Sequence, residues 1–259
     1  MSFVEAVDLE MLEEHLEACF SACSVVELSG LAYCWREWWA RDSQLVDFDG
    51  VMSSHGILAG RGFGKTGAHT EAVLEQIITG KARMIGLLAQ NEDETRQVLV
   101  EGVSGLVTIS PPWFRPQWIK GQVVWPNGAT AILYTAEKPS NIRGNEHDIF
   151  LHTECCVWPV TTREEVYKNI LFSTRIGGAL VLWDTTPRRK HPIVRKLMRA
   201  HEARPLQNVV IRGSTDDNAS NLARDFIDNI DAEYSGTQAE QEERHGVFLD
   251  DDENALWYA

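Results

Sequence analysis

No stretch of about 18 uninterrupted apolar residues occurs in the 259-residue chain, so nothing in it reads as a membrane-spanning helix. The opening residues MSFVEAVDLEMLEEHLEACF are acidic, unlike a signal or transit peptide. Positive charge is scarce as well. Only 24 Lys and Arg stand against 38 Asp and Glu, and a formal net charge of −14 excludes a protein that coats nucleic acid through its general field. Cysteine is sparse: Cys19, Cys23, Cys34, Cys155 and Cys156 are odd in number and lack paired CxxC spacing, which favours free or buried thiols over disulfides or zinc. Internal repeats and long low-complexity segments are absent too. What is left is a globular, cytoplasmic protein. Its 44% hydrophobic content suffices for a sizeable core, in one large domain or two small ones.

Against that background, residues 57–66, ILAGRGFGKT, stand out: an apolar run, then three glycines in five positions, then Lys-Thr. A phosphate-binding Walker A loop wants Gly, four free residues and Gly-Lys-Ser/Thr; Gly64, Lys65 and Thr66 fit, while Ala59 occupies the place of the first glycine. Gly60, Gly62 and Gly64 bring backbone N–H groups close to phosphate oxygens, with Arg61 and Phe63 between them. Lys65 would neutralise the β- and γ-phosphates of ATP, and the Thr66 hydroxyl would ligate Mg²⁺. HGILAG before the loop reads as a strand. TGAHTEAVLEQIITG after it spaces apolar residues like a helix ending at Gly80, whose N-terminus completes the anion site. The plainer alternative, a glycine-rich turn between strand and helix, leaves the Lys-Thr unexplained.

Two helices are expected over 8–23 and 29–41. Beyond the loop the elements alternate: a strand RMIGLLA, a helix NEDETRQVLVEGVSG with Asn91 as N-cap, a hairpin QVVWPNGATAILYT turning at Asn127-Gly128, and a strand DIFLHTE. There follow a helix TTREEVYKNILFSTR with a Thr-x-x-Glu capping box, a strand ALVLWDT, a helix IVRKLMRAHE, a strand NVVIRG and a helix NLARDFIDNIDAEY. The order predicts an α/β fold: a mostly parallel sheet with helices on both faces.

An ATPase of the catalytic-glutamate type needs a second apolar strand ending in Asp-Glu near the phosphates. IFLHTE, residues 149–154, is the candidate: Glu154 can polarise the attacking water, but Thr153 stands where the magnesium-supporting Asp belongs. A hydroxyl brings no charge, so weaker Mg²⁺ support is expected. Asp148 lies at the far end of that strand, about 17 Å from Thr153 at strand rise, and is no substitute. RRKHPIVRKLMRAH, from Arg188 to His201, carries six Lys/Arg; it reads as a solvated helix face or, more sharply, as a DNA contact. The acidic run Asp250 to Glu253 reads as a solvated loop rather than a metal cluster.

Four segments in order resemble the ATPase domain of the large terminase subunit of tailed bacteriophages or prophages: LAGRGFGKT, TECCVWP, LVLWDTTPRRKHP, and the stretch from GSTDDNASN to DDDENALW. The resemblance implies an additional-strand, catalytic-glutamate P-loop NTPase that hydrolyses ATP to move double-stranded DNA into a prohead. It further implies a homo-oligomeric ring on the portal protein, a small terminase subunit as partner, and the cytoplasm of an infected bacterium as location. In WWARDSQ, residues 38–44, Gln44 would read the adenine edge with help from Arg41; the plainer alternative is an amphipathic helix end. Arg61 resembles an arginine acting in cis on the γ-phosphate. Arg143, in EKPSNIRGNEHD, is similar to a trans-acting finger from a neighbouring subunit, although arginines commonly tie loops to carboxylates. Thr185 and Thr186 would sense the γ-phosphate and couple hydrolysis to movement.

The resemblance divides the chain into a helical segment 1–45 with the adenine motif, an ATPase core 46–245, and a stretch 246–259 leading toward a nuclease domain. The sequence given stops where that domain would begin, so no DNA cleavage is expected of it. Two other readings stand beside the motor: a helicase-like P-loop ATPase, for which no second RecA-like domain is found, and a nucleotide-binding assembly module with little hydrolysis, which Thr153 keeps open. Substituting Thr153→Asp is the test that separates them, a large gain in turnover marking an intact but tuned-down site.

Overall fold

The computed structural model describes residues 21–48 and 50–249, and the chain divides into two compact units, Met1–Ala40 and Arg41–Ala259. In the first unit, helix α1 (Val25–Leu31) is followed by a π-turn, Trp35–Trp39. The Trp39 indole N–H donates to the Leu31 carbonyl at 2.9 Å. The single helix expected over 29–41 is therefore broken. Gly30 is a poor helix interior residue, and its carbonyl takes the Tyr33 N–H in a tight turn instead of continuing the helical ladder. The helix expected over 8–23 falls largely outside the described residues, as does the acidic run from Asp250.

The second unit is built on an eight-stranded sheet. Its strands are β1 (Ser54–Ala59), β2 (Met84–Ala89), β3 (Gln117–Ile119), β4 (Gln122–Val124), β5 (Thr130–Thr135), β6 (Ile149–Thr153), β7 (Leu180–Thr185) and β8 (Asn208–Gly213). They lie in the order β3-β4-β5-β2-β6-β7-β1-β8. From β5 to β8 all pairings are parallel, and β3 and β4 extend the edge in antiparallel fashion. The hairpin read from QVVWPNGATAILYT forms, but its second strand also joins the parallel set, and the short β3 was not foreseen.

The topology carries the functional meaning. Strand β7 lies between β1, which leads into the glycine loop, and β6, which ends in Thr153. That interposed strand is the additional strand of the expected P-loop class, and the fold is an α/β P-loop NTPase fold.

Alternation along the central strands sends side chains to two separate cores. Ile85, Leu87, Ile149, Leu151, Leu180 and Leu182 pack on one face with helix α2 (Lys65–Ile78) through Ala72, Val73 and Ile77. That face also takes up helix α3 (Glu92–Arg96), its π-helical continuation Gln97–Glu101 and the short α4 (Leu106–Ile109), through Leu99, Val100 and Leu106. Leu88, Phe150, Val181 and Trp183 pack on the other face, with α5 (Arg163–Ser173) and α6 (Pro192–Ala203) through Val166, Ile170, Ile193 and Val194. Each such buried side chain is worth about 1.5–3 kcal/mol of transfer free energy, which is why the near-continuous apolar strands are stable only between two helical layers. Gly56 in β1 is explained by this packing: a Cβ there would stand 2.0 Å from the Trp183 ring.

Local signals fared unevenly. Asn91 caps α3 as expected, its side chain accepting from Glu94 N at 2.9 Å. The capping box at the start of α5 does not form, because the Thr162 hydroxyl donates to the Ala136 carbonyl at 2.7 Å and is spent on tying the helix to the end of β5. Helices α7 (Arg224–Tyr234) and α8 (Gln238–Glu243) close the described chain, α7 starting later than its sequence pattern suggests because Asp216–Asn221 form a 3-10 turn.

Candidate active site at the P-loop

The glycine loop joins β1 to α2. Ala59 is the last, fully buried residue of β1, and its backbone needs no left-handed conformation, so an alanine serves where a first glycine was expected. Gly64 is different: it sits at φ 90° as the N-cap of α2, and a Cβ there would meet Gln44 Nε2 at 2.6 Å. Gly60 is held for space, since a Cβ would stand 2.1 Å from the Arg244 carbonyl oxygen. Phe63 anchors the loop, buried against Gly213 at the end of β8.

The loop is braced from two sides. On one, the Gln44 amide reaches the carbonyls of Phe63 and Gly64 at 3.5 and 3.4 Å, and Arg41 donates to the Phe63 carbonyl while its guanidinium lies 5.0 Å above the Phe63 ring. On the other, the Thr215 hydroxyl donates to the Arg61 carbonyl at 2.7 Å and Asn218 donates to the Gly62 carbonyl at 2.6 Å. The Arg61 side chain forms an ion pair with Glu243, and its backbone N–H donates to the Glu243 carbonyl at 2.7 Å. Helix α8 thus reaches the phosphate loop directly, a contact no sequence signal announces because 182 positions separate its partners.

A cleft of about 290 Å³ opens in front of the loop, lined by Arg61, Thr66, Thr153, Glu154, Thr186 and Arg188 among others. A larger cavity of about 360 Å³ elsewhere, lined by Ser54, His152 and Trp183, contains none of the loop residues. Lys65 is buried, its ammonium 3.1 and 3.0 Å from the carbonyls of Ala59 and Gly60 and 3.0 Å from the Thr186 hydroxyl. Burial lowers its pKa, and the carboxylates of Glu154 and Asp184 act in the opposite direction.

Glu154 follows β6 with φ 50°, a left-handed conformation that costs a non-glycine residue about 1–3 kcal/mol and recurs at functional sites. The turn swings its carboxylate over β7. There it accepts from the Thr186 N–H at 3.1 Å and the Thr185 hydroxyl at 3.2 Å. Burial raises its pKa, with Lys65 opposing and Asp184 reinforcing the shift. The expected partners Lys65, Thr66, Thr153, Glu154, Thr185 and Thr186 are thus brought together.

Asp184, at the end of β7, was not foreseen. It is fully buried, accepts from Thr153 Oγ1 at 2.5 Å and from Thr66 Oγ1 at 3.3 Å, and faces His69 Nδ1 at 3.4 Å. Its signal in the sequence is its place immediately before Thr185 in LVLWDTT, at the end of an apolar strand. Asp148, set aside from the sequence, indeed lies at the opposite end of the sheet, where it accepts from the backbone N–H groups of Arg83 and Met84. Arg143 does not line the cleft. It pairs with Glu165 at 2.6 Å, approaches Asn169, and borders a separate hollow with Lys168 and Arg175.

Among the described residues no group of three or more His, Cys, Asp or Glu side chains is arranged to hold a metal. A magnesium ion carried in by nucleotide phosphates needs far less from the protein: one hydroxyl and one or two carboxylates suffice, with waters and phosphate oxygens completing the shell. Thr66 and Asp184 fit that requirement. No helix among the described residues is long and apolar enough to cross a membrane.

Comparison with known proteins agrees with this fold. The fold resembles the ATPase domain of the Thermus phage P74-26 large terminase, at TM-score 0.59 and 15% identity, over 81% of this chain and 94% of that one. It also resembles the ADP-bound large terminase of a thermophilic bacteriophage, at TM-score 0.61 and 15% identity, over 84% and 52% of the two chains. The HK97 bacteriophage large terminase aligns at TM-score 0.59 and 10% identity, over 79% and 48%. The chain therefore spans about half the length of the whole large terminases it resembles. No curated protein sequence matches it. Residues 57–258 match the family described as terminase large subunit, T4likevirus-type, N-terminal, and the chain belongs to that family.

Proposed function

We propose that this chain is the motor domain of a DNA-packaging terminase, binding ATP with Mg²⁺ and hydrolysing it to drive double-stranded DNA into a prohead. The observation that carries the reading is the convergence of Thr66 and Glu154 on one cleft, with the Lys65 ammonium 3.0 Å from the Thr186 hydroxyl at its wall and the Glu154 carboxylate held by Thr185 and Thr186. Lys65 and the N-terminus of α2 bind the phosphates, and Glu154 orients the attacking water and accepts its proton. Magnesium, when bound with the nucleotide, offsets charge on the β- and γ-phosphates. Thr185 and Thr186 couple the Glu154 carboxylate to the chain that leads into α6, so that loss of the γ-phosphate is transmitted to the basic run from Arg188 to Arg199. Arg41 and Gln44 hold the adenine side of the loop, and Arg61 acts on the γ-phosphate once it leaves Glu243.

Arg143 is proposed to act in trans, on the nucleotide of a neighbouring copy in a homo-oligomeric ring on the portal protein. A small terminase subunit delivers the DNA, in the cytoplasm of the infected bacterium. A finger supplied by a neighbour makes hydrolysis depend on assembly, because its charge meets the transition state only in the ring. Steady-state ATP hydrolysis across protein concentration, with Mg²⁺ and with or without duplex DNA, tests the reading. Turnover rising with concentration and absent from Glu154→Gln is expected. ATP binding without Glu154-dependent turnover at any concentration would favour a nucleotide-binding assembly module.

A further inference from the structure

We propose that the carboxylate supporting the nucleotide's magnesium has moved from β6 to the neighbouring strand, and that Asp184 holds the metal shell in place of the acid that Thr153 lacks. The inference rests on the ATP-binding reading above. Thr153 and Asp184 are direct partners in the parallel pairing of β6 with β7, so the two side chains occupy one row of the sheet. Exchanging the residue types across that row moves the carboxylate sideways by one strand spacing, about 4.8 Å, while keeping it on the same face. The Asp184 carboxylate remains beside the Thr66 hydroxyl, at 3.3 Å from Oγ1. Thr153 donates to the same oxygen, Oδ1, and so aims it rather than competing for the ion.

The burial of Asp184 argues in the same direction. Among the described residues it is the fully buried carboxylate, at 0% exposure, and a buried charge is retained only where hydrogen bonds, a paired charge or a metal compensates its desolvation; Lys65 and the donors around it serve in the absence of nucleotide. Its second oxygen faces His69 Nδ1 at 3.4 Å, and His69 Nε2 lies 3.0 Å from His55 Nδ1, both rings being buried. An ionised carboxylate can only accept, so His69 donates through Nδ1 and accepts at Nε2 from the His55 Nδ1–H. The two rings fix one carboxylate oxygen and leave the other directed at Thr66, an arrangement typical of groups that orient metal ligands.

The test measures the affinity of the purified chain for a fluorescent ADP, in EDTA and in millimolar Mg²⁺, with thermal unfolding as the check on folding. For the unaltered chain Mg²⁺ should tighten binding. Asp184→Asn should keep the affinity seen in EDTA and lose the magnesium-dependent gain, by about 10–100-fold. The exchanged pair, Thr153→Asp with Asp184→Thr, should recover most of that gain by returning the acid to β6. Full magnesium dependence in Asp184→Asn would overturn the proposal, making Asp184 a structural partner of His69, while leaving nucleotide binding intact. A folded exchanged pair that binds ADP in EDTA but gains nothing from Mg²⁺ would overturn it too. Failure of the unaltered chain to bind ADP under either condition would instead remove the ATP-binding reading, and the proposal with it.

Discussion

Strands β6 and β7 run side by side, parallel and buried along their whole lengths, yet they end in opposite chemistry. The first closes on Thr153-Glu154 and the second on Asp184-Thr185-Thr186. Taken one strand at a time, β6 lacks an acid at position 153 and β7 carries one with no assigned purpose. Taken across the row, the pair holds one hydroxyl and one carboxylate, both meeting at Asp184 Oδ1 with the loop's Thr66. A deficit on one strand is thus matched by a surplus on its neighbour, and the site is defined by side chains in space rather than by a linear motif.

The largest expected effect concerns the end of β6. Glu154→Gln keeps shape but removes the proposed general base, and a drop in turnover of about 10²–10⁴-fold is expected with nucleotide affinity retained. Undiminished turnover would place the base elsewhere. Next comes Thr153→Asp alone. From the sequence this substitution was a test, a large gain in turnover marking an intact but tuned-down site. With Asp184 Oδ1 already 2.5 Å from the residue 153 hydroxyl, it instead places two carboxylates in contact, and a loss of both stability and turnover is expected. Combining it with Asp184→Thr should reverse the loss, a non-additivity that a double-mutant cycle measures. A smaller effect is expected at the wall of the cleft, where Arg61 and Glu243 pair: Glu243→Gln removes the charge that holds the Arg61 guanidinium, and a change of a few-fold in turnover with little change in thermal stability should follow, since exposed pairs contribute about 0–1 kcal/mol.

The smallest expected effect is on stability against pH. Burial lowers the pKa of His55 to about 3 and of His147 to about 4, from 6.5. The unfolded chain therefore binds more protons than the folded one between those values, and stability is lost as pH falls from 6.5 toward 4. Glu71, raised by burial to about 7 from 4.5, acts the other way, favouring the fold as pH falls from 7 toward 4.5. Denaturant midpoints at pH 7, 5.5 and 4.5 should decline, and replacing Glu71 by Gln should steepen the decline.

Much of the fold was legible because its parallel strands are continuous apolar runs separated by helices of 3.6-residue period, and both signals are local. Lys65, Thr66 and Glu154 were legible because they flank strand ends in recognisable order. Thr162 was misread because its hydroxyl had a better acceptor at Ala136 than its own helix offered. Glu243 and Asp184 were not legible, since each acquires its role from a partner supplied by the sheet order or the closing helix. Arg143 was read by its place before β6, and the fold carries it away from the cleft, to Glu165 and Asn169.

The most direct measurement is the position of Mn²⁺, located by its anomalous scattering, in crystals of the chain grown with ADP. The account predicts an ion on the Thr66 hydroxyl with Asp184 as the nearest carboxylate, and Thr153 touching Asp184 but not the ion. An ion held by Glu154 or Thr153, with Asp184 still turned to His69, would contradict it.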